Sequence, residues 1–398
     1  MSQIKKKFIR FLVLTSVVLF FGIVSAAPTL IKMDPKQIPS LKEDGDLTSL
    51  KLAIDRSLLY FNQLPTNYSF NFGEESYSTQ DQIESLLHLK KFLNKKHSKK
   101  SLAKFIKKEF LIFRYSEAPV NGITFSSYYE YGLLASLTPN EEFRYPLYSR
   151  PPELVDVPLE KFDINKRGER VVGKVVGKEL QAYYSREQID SYKIFKERGL
   201  EIAWAKDPLE ILFLQIQGSG WIKTPQGETY HIRYTGDNGH PYRSVGLYLI
   251  QSGIIPKENF SRQRMIDTLT RMSEDKRQAI LNINPRYVFF EIVSDTVPIR
   301  GSLSVPLTAG RSIATDPKFY PPGALAWIQT QKPTFDREGN KVGTEEVSRL
   351  VLNQDEGGAI KGINRVDFFA GRGPEAKKMA ENLWYPGEIY ILIKRKQR

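Results

Sequence analysis

Apolar residues between positions 47 and 113 recur three and four apart, as in Leu50, Ile54, Leu58 and Phe61, the spacing of one buried helix face. A largely helical N-terminal part is expected. Leu86, Leu89, Phe92, Leu93, Leu102, Phe105, Ile106 and Phe110 continue the pattern, and Lys90, Lys91, Lys95, Lys96, Lys99, Lys100, Lys104, Lys107 and Lys108 are interleaved with them. These helices should present a basic outer face. From Ile123 onward the pattern changes to short alternating, β-branched and aromatic runs separated by Gly, Pro and Asn, the signature of a sandwich or barrel. Residues 171–176, 211–216, 230–234, 287–293, 324–329, 349–353 and 389–393 read as strands. Thr224-Pro225-Gln226-Gly227 and Asp336-Arg337-Glu338-Gly339-Asn340 read as hairpin turns. A second helical patch spans 262–283, and the proline-rich passage 145–158 looks like a crossing between domains without regular pairing.

With 398 residues, 41% apolar and 12% aromatic, the chain can build one large or two medium domains. Lys5, Lys6, Lys7 and Arg10, the apolar run from Phe11 to Val24, and Ser25-Ala26-Ala27-Pro28 have the three-region form of a secretory leader. Cleavage near Ala26 or Ala27 is expected, giving a signal peptide over residues 1–27; the alternative is an uncleaved anchor, for which the run falls short of ~18 residues. There is no cysteine, which removes disulfides, thiolate catalysis, cysteine zinc sites and a lipid-modified cysteine. The formal charge is +13, or +9 without the leader's four basic residues. Such an excess suits an anionic polymer or membrane surface, with Lys90 to Lys108 as the attracting face, unless those lysines are simply solvated. No nucleic-acid motif is present, so nucleic acid is not an expected partner.

The candidate chemistry lies in Gln354-Asp355-Glu356-Gly357-Gly358-Ala359-Ile360-Lys361-Gly362, followed by Arg365-Val366-Asp367-Phe368-Phe369 and Gly371-Arg372-Gly373. Arg349 to Asn353 reads as a buried strand that delivers Asp355 to its end, where a glycine pair lets the chain turn sharply and a ligand approach. Asp followed by Gly also marks ordinary turns. His88, His97, His231 and His240 are the only histidines, and none has a second ligand at metal spacing, so neither a metal nor a cofactor is expected.

Further stretches stand out in order: Ile123-Thr124-Phe125-Ser126-Ser127-Tyr128-Tyr129-Glu130; Leu214-Gln215-Ile216-Gln217-Gly218-Ser219-Gly220, read as a strand end; Asn238-Gly239-His240-Pro241-Tyr242-Arg243-Ser244; Asn284-Pro285-Arg286-Tyr287; and Thr308-Ala309-Gly310-Arg311-Ser312-Ile313-Ala314-Thr315-Asp316. Together with the run at Asp355 they resemble the membrane-bound lytic murein transglycosylase A family, whose C-terminal part is the three-aspartate barrel domain. The resemblance covers nearly all of the chain after Ile123. It implies a mainly β protein with a helical N-terminal part: a double-psi β-barrel domain from residues 40–132 and 241–398, and a smaller inserted β domain at 133–240 that forms the other wall of a groove.

The resemblance also implies a peptidoglycan lytic exotransglycosylase, a non-hydrolytic lyase of the periplasm or outer membrane that acts on glycan strands, here as a monomer. Asp355 matches the catalytic acid. Asp367, Gly357, Gly358 and Lys361 would support it; Asp367 would either raise the acid's pKa or orient Arg365 or a sugar hydroxyl. Ser126, Tyr128, Tyr129, Gln217, Ser219, Tyr242, Arg243 and Arg311 would line the substrate path. For several of these a structural role competes: Tyr242 and Arg243 would otherwise join the two domains, and Arg311 would otherwise pair with Asp316. Glu356 stands where the family commonly has a small residue, Ser126-Ser127 replaces Thr-Gly, and a proline near Tyr131 is missing. A hydrolase, which needs a second carboxylate ~5 to 9.5 Å from the acid, and a non-catalytic wall-binding protein are the competing readings.

Overall fold

The computed structural model describes residues 28–95, 98–116, 122–163, 166 and 169–396; the leader and Lys96 lie outside them. The N-terminal part begins with a short strand, β1 (Leu30–Lys32), and helix α1 (Leu47–Phe61). Asp46 starts α1 by accepting the Thr48 and Ser49 N–H groups, two donors that a helix start leaves unpaired. A hairpin, β2 (Ser69–Phe72) and β3 (Glu75–Ser78), follows, then α2 (Thr79–Leu93), α3 (Lys99–Glu109) and β4 (Phe110–Tyr115). Ser78 and Asp81 form a capping box on α2.

The helical expectation for 47–113 thus holds for three helices and fails at the hairpin and at Phe110. The hairpin turns at Gly73, whose φ of +75° suits glycine. Its Phe70, Phe72 and Tyr77 are buried, so the run is apolar for a strand reason within a helical neighbourhood.

The rest is mostly β. The strands are β5 (Ile123–Ser136), β6 (Tyr145–Tyr148), β7 (Val155–Pro158), β8 (Arg170–Val176), β9 (Glu179–Ala182), β10 (Glu201–Ala205), β11 (Gly220–Lys223), β12 (Thr229–Asp237) and β13 (Val288–Ser294). They are followed by β14 (Ser312–Ala314), β15 (Leu325–Phe335), β16 (Lys341–Asp355), β17 (Arg365–Arg372) and β18 (Trp384–Lys394). Helices α4 (Arg186–Asp190), α5 (Pro208–Gln217), α6 (Val245–Gln251), α7 (Arg262–Thr270), α8 (Glu274–Leu281) and α9 (Pro374–Asn382) lie between them.

Two readings are corrected. Residues 211–216 are in helix α5, not a strand. Asp207 caps it, Pro208 takes its first position and Gly218 ends it at φ +83°, while burial on nearly every side makes its sequence a continuous apolar run. The passage 145–158 is not unpaired: Pro146 sits in β6, against Trp204 of β10, and β7 pairs with β8.

Thirteen strands share one sheet. Within it β5 pairs with β17, β17 with β14, β14 with β16, β16 with β15, β15 with β18, and β18 again with β5, so the pairings close into a ring. β4 extends β18 on the outside and carries β1. The ring buries Phe125, Ile313, Trp327, Leu350, Leu352, Val366 and Ile391 in one core with Leu50, Ile54 and Phe61 of α1 and Leu86 and Leu89 of α2.

The fourteen-residue β5 outruns the ring. Its second half pairs with β11 and β10, where a separate core holds Leu133, Leu147, Leu214, Ile222, Ile232 and Phe290. One strand therefore spans both halves of the molecule.

Candidate active site

Asp355 is the last residue of β16. One carboxyl oxygen, Oδ1, accepts the backbone N–H groups of Ser302 (2.8 Å) and Glu356 (2.9 Å). The other, Oδ2, accepts the Tyr128 hydroxyl at 2.8 Å. The loop carrying Ser302 reaches the carboxyl because Gly301 has no side chain: a Cβ there would stand 2.5 Å from the Gln354 carbonyl oxygen and 3.1 Å from Asp355 Cγ. Burial raises the Asp355 pKa to about 6, and the neighbouring Glu356 charge adds to the rise against the hydrogen bonds from Ser302, Tyr128 and Glu356 N–H. Burial, with Asp355 beside it, pushes the Tyr128 phenol far above its usual range, so it stays a donor.

Ladder pairing sets out a row. Asp355 and Asp367 both pair with Ala314, Asp367 pairs with Ser126, and Ser126 also pairs with Trp384. Directly paired residues share a face, so Asp355, Asp367, Ser126 and Trp384 line one side of the ring across five strands. Ser126 Oγ donates to Asp367 Oδ1 at 2.8 Å and accepts from Arg365 Nη2 at 2.9 Å. Burial raises Asp367 to about 6, with Ser126 and Arg365 opposing. The charge that perturbs Asp355 is that of Glu356, while Asp367 engages Ser126 and lies in the field of Arg365.

Gly357 and Gly358 lie on the turn that follows the acid, closed by the Ile360 N–H on the Gly357 carbonyl. Neither has a positive φ; they serve by lacking a Cβ, which at Gly358 would lie 3.1 Å from the Arg286 guanidinium carbon and at Gly357 2.8 Å from Ile360. Lys361 is exposed on the same turn. Arg286 comes from the segment before β13 and pairs with the buried Asp237 at 2.7 Å. Asp237 also holds Arg170 and accepts the Tyr234 hydroxyl at 2.6 Å. Burial alone would raise its pKa, but the two guanidiniums hold it below the usual value.

Farther along the same face of β5, Glu130 Oε2 lies 3.6 Å from His231 Nε2, which is 3.2 Å from Asp295. Arg372 of β17 pairs with Asp295 at 2.6 Å and covers the Trp221 ring at 4.6 Å. This cluster fastens the ring to β11–β13.

The remaining expected residues scatter. Gln217 ends helix α5 and accepts the Tyr129 N–H at 3.1 Å, one residue along β5 from Tyr128, the acid's hydrogen-bond partner; Ser219 follows the helix cap, half-buried. Tyr129 is buried with its ring against Tyr131, because adjacent strand residues point to opposite faces, and it has no open ring face for a sugar. Tyr242 is half-buried with its hydroxyl at Ser244, and Arg243 is exposed, bonded to Asn284 only through its backbone N–H at 3.2 Å.

Arg311 is corrected on both counts: it neither lines the cleft nor pairs with Asp316. It is buried and bonded to Glu43 at 3.0 Å, to the Asp46 carbonyl at 2.7 Å and to the Leu350 carbonyl at 2.6 Å. Asp316 instead accepts the Gly362 N–H at 2.8 Å. Gly301, Ser302 and Trp384 carry no signal of a site in the sequence, and Glu130, Arg286 and Arg372, though inside stretches that stand out, have no role of their own there, nor has His231, since each acquires its place only through contacts with distant parts of the chain.

The family described as the MltA specific insert domain matches residues 124–291, and the 3D domain family matches residues 311–393. Membrane-bound lytic murein transglycosylase A of Escherichia coli K12 is 32% identical over 273 residues, 68% of this chain and 65% of the relative. The protein of that name from Vibrio cholerae is 30% identical over 49% of this chain and 52% of its own. The chain belongs to the membrane-bound lytic murein transglycosylase A family.

Among solved structures, the membrane-bound lytic murein transglycosylase from Agrobacterium tumefaciens superposes with a TM-score of 0.71 at 25% identity, over 92% of this chain and 98% of that one. E. coli MltA with bound chitohexaose gives 0.67 at 25% identity, over 94% and 96%. The match to the curated E. coli relative spans just under two thirds of that protein's length. Among the described residues no helix is long and apolar enough to cross a membrane.

Proposed function

We propose that this chain is a lytic transglycosylase that cleaves the β-1,4 bond between N-acetylmuramic acid and N-acetylglucosamine in peptidoglycan and leaves a 1,6-anhydromuramic acid end. The observation that carries the reading is the Asp355 carboxyl: enclosed, titrating at about 6, and bonded differently at its two oxygens. Oδ1 is committed to two backbone donors, so the proton of the neutral acid resides on Oδ2, beside Tyr128.

That proton passes to the bridging oxygen as the C1–O bond breaks, and the carboxylate left behind keeps its three hydrogen bonds. The C6 hydroxyl of the same muramic acid then attacks C1 and gives its proton back to Oδ2. No water is consumed, one carboxyl serves as acid and then base, and nucleophile and electrophile share a sugar, which removes most of the entropic cost of their meeting.

The closed ring of strand pairing supports a double-psi β-barrel reading of residues 40–132 and 241–398. The second core on the far part of β5 supports an inserted domain, with the glycan strand lying between the two. E. coli MltA, a structural relative, binds chitohexaose, in keeping with an oligosaccharide in this groove. The family's membrane association and the leader-like N-terminus support export to the periplasm and residence at the outer membrane. With no cysteine in the chain, a lipidated thiol is not the attachment.

The test is product mass. Wild-type chain and Asp355→Asn, incubated with isolated peptidoglycan, should differ: anhydro-muropeptides, one water lighter than hydrolytic products, from the wild type only. Reducing-end products would establish a hydrolase, and binding without products a wall-binding protein.

A further inference from the structure

The row of paired residues that begins at Asp355 ends at Trp384, whose side chain plays no part in the chemistry above. Trp384 opens β18 and is 64% exposed, whereas Trp327 is buried and Trp204 and Trp221 are half-buried. A singly exposed apolar residue is ordinary on a protein surface, so exposure alone says little about this one.

This indole, however, is held in place. The Arg365 guanidinium lies 4.6 Å from its ring centre, a cation–π contact, and Arg365 is tied in turn to Ser126 at 2.9 Å, which bonds Asp367. One face of the indole is thus backed by a fixed cation. The ring extends the line Asp355, Asp367, Ser126.

Direction matters as well. β5 passes from the ring into the other half of the molecule, pairing with β11 from Tyr131 onward, and the paired row crosses it at Ser126, on the ring side of that passage. From Asp355 to Trp384 the row covers four strand steps, at most ~19 Å of curved sheet at ~4.8 Å per step, a reach of several sugar units. A flat apolar ring standing at that distance suits the apolar face of a pyranose in an extended glycan.

We infer that Trp384 is a glycan-stacking platform, a binding subsite remote from the cleaved bond, and that Arg365 is its positioning residue. This rests on the transglycosylase reading for the identity of the strand but not for the site itself. Its contribution is uniform binding, so its loss should appear in affinity and KM with kcat retained.

Chitohexaose is a suitable probe, followed by intrinsic fluorescence and by calorimetry. Adding it to the Asp355→Asn chain should shift tryptophan emission; Trp384→Phe in that background should abolish the shift while keeping the affinity within about threefold. Trp384→Ala should weaken binding roughly tenfold and, in the active chain, raise KM for soluble glycan fragments with kcat within about twofold. Arg365→Gln should weaken binding by a smaller factor, and Arg365→Lys, which keeps a cation behind the ring, should restore it.

Unchanged affinity in Trp384→Ala, a fluorescence shift that survives Trp384→Phe, or no binding of chitohexaose at all would overturn the subsite. If the wild type releases no anhydro-product but binding still depends on Trp384, the catalytic reading fails and the subsite stands. If anhydro-product forms and neither binding nor KM responds to Trp384, the subsite fails and the catalytic reading stands.

Discussion

Asp355 works through a balance that single substitutions can tip in either direction. The Glu356 charge raises its pKa and the Tyr128 hydrogen bond lowers it. Glu356→Gln should therefore move the alkaline limb of the pH–rate profile to lower pH, and Tyr128→Phe should move it to higher pH, each by less than one unit; a kcat profile on soluble glycan fragments measures both. The same carboxyl affects stability. Because its folded pKa lies above the unfolded value, the native state binds more protons between the two, and this contribution is full below ~4 and lost as pH rises through 6. At pH 7.5 the buried charge opposes folding by about 3 kcal/mol for a two-unit shift. Asp355→Asn keeps the shape, lets the Tyr128 hydroxyl accept instead of donate, and should raise Tm at pH 7.5 but much less at pH 4, as thermal unfolding would record. Asp355 was legible in the sequence through the resemblance of several stretches taken together, since an acid before two glycines also marks an ordinary turn. Its partners Tyr128 and Ser302 were not legible as partners, since 227 and 53 positions separate them from it.

At the scale of elements, what periodicity conveyed depended on how many sides of an element are buried. Helices α1 and α2 have one dry face and were readable at once, whereas α5 is dry nearly all round and its period vanished, leaving only Asp207, Pro208 and Gly218 to mark it. Strands β15, β16 and β18 were anticipated only in part, each over its most apolar stretch. Arg311 shows the limit most sharply. Its Gly- and Pro-flanked neighbourhood suggested a local pairing, yet its carboxylate partner Glu43 is 268 positions away and holds the segment before α1 against β16. Removing one member of a buried pair strands the other. Arg311→Ala should cost about 3–5 kcal/mol in urea unfolding, and the joint change Arg311→Met with Glu43→Leu should recover most of that loss.

For the molecule as a whole, the basic helices are a separate matter from the cleft. Lys90 is neutralised by Asp55, and Lys99 and Lys107 bond backbone carbonyls of the N-terminal segment, but Lys91, Lys95, Lys100 and Lys104 face outward on α2 and α3 and the turn between them. Replacing these four by Gln should lower sedimentation with envelope fractions at low salt and leave cleavage of soluble glycan fragments unchanged; equal sedimentation would remove the surface-attraction idea. The ring itself has a consequence for how the chain is made. β18 is the last strand among the described residues, yet it closes against β4 and β5, which are synthesised long before it. Until the C-terminus is free, those early strands stand with open edges, and closure must draw together ends separated by most of the chain, a slow step for a long loop. A polypeptide whose last strand has not yet emerged therefore cannot complete this fold, and its early strand edges stay open to other partners for as long as synthesis lasts.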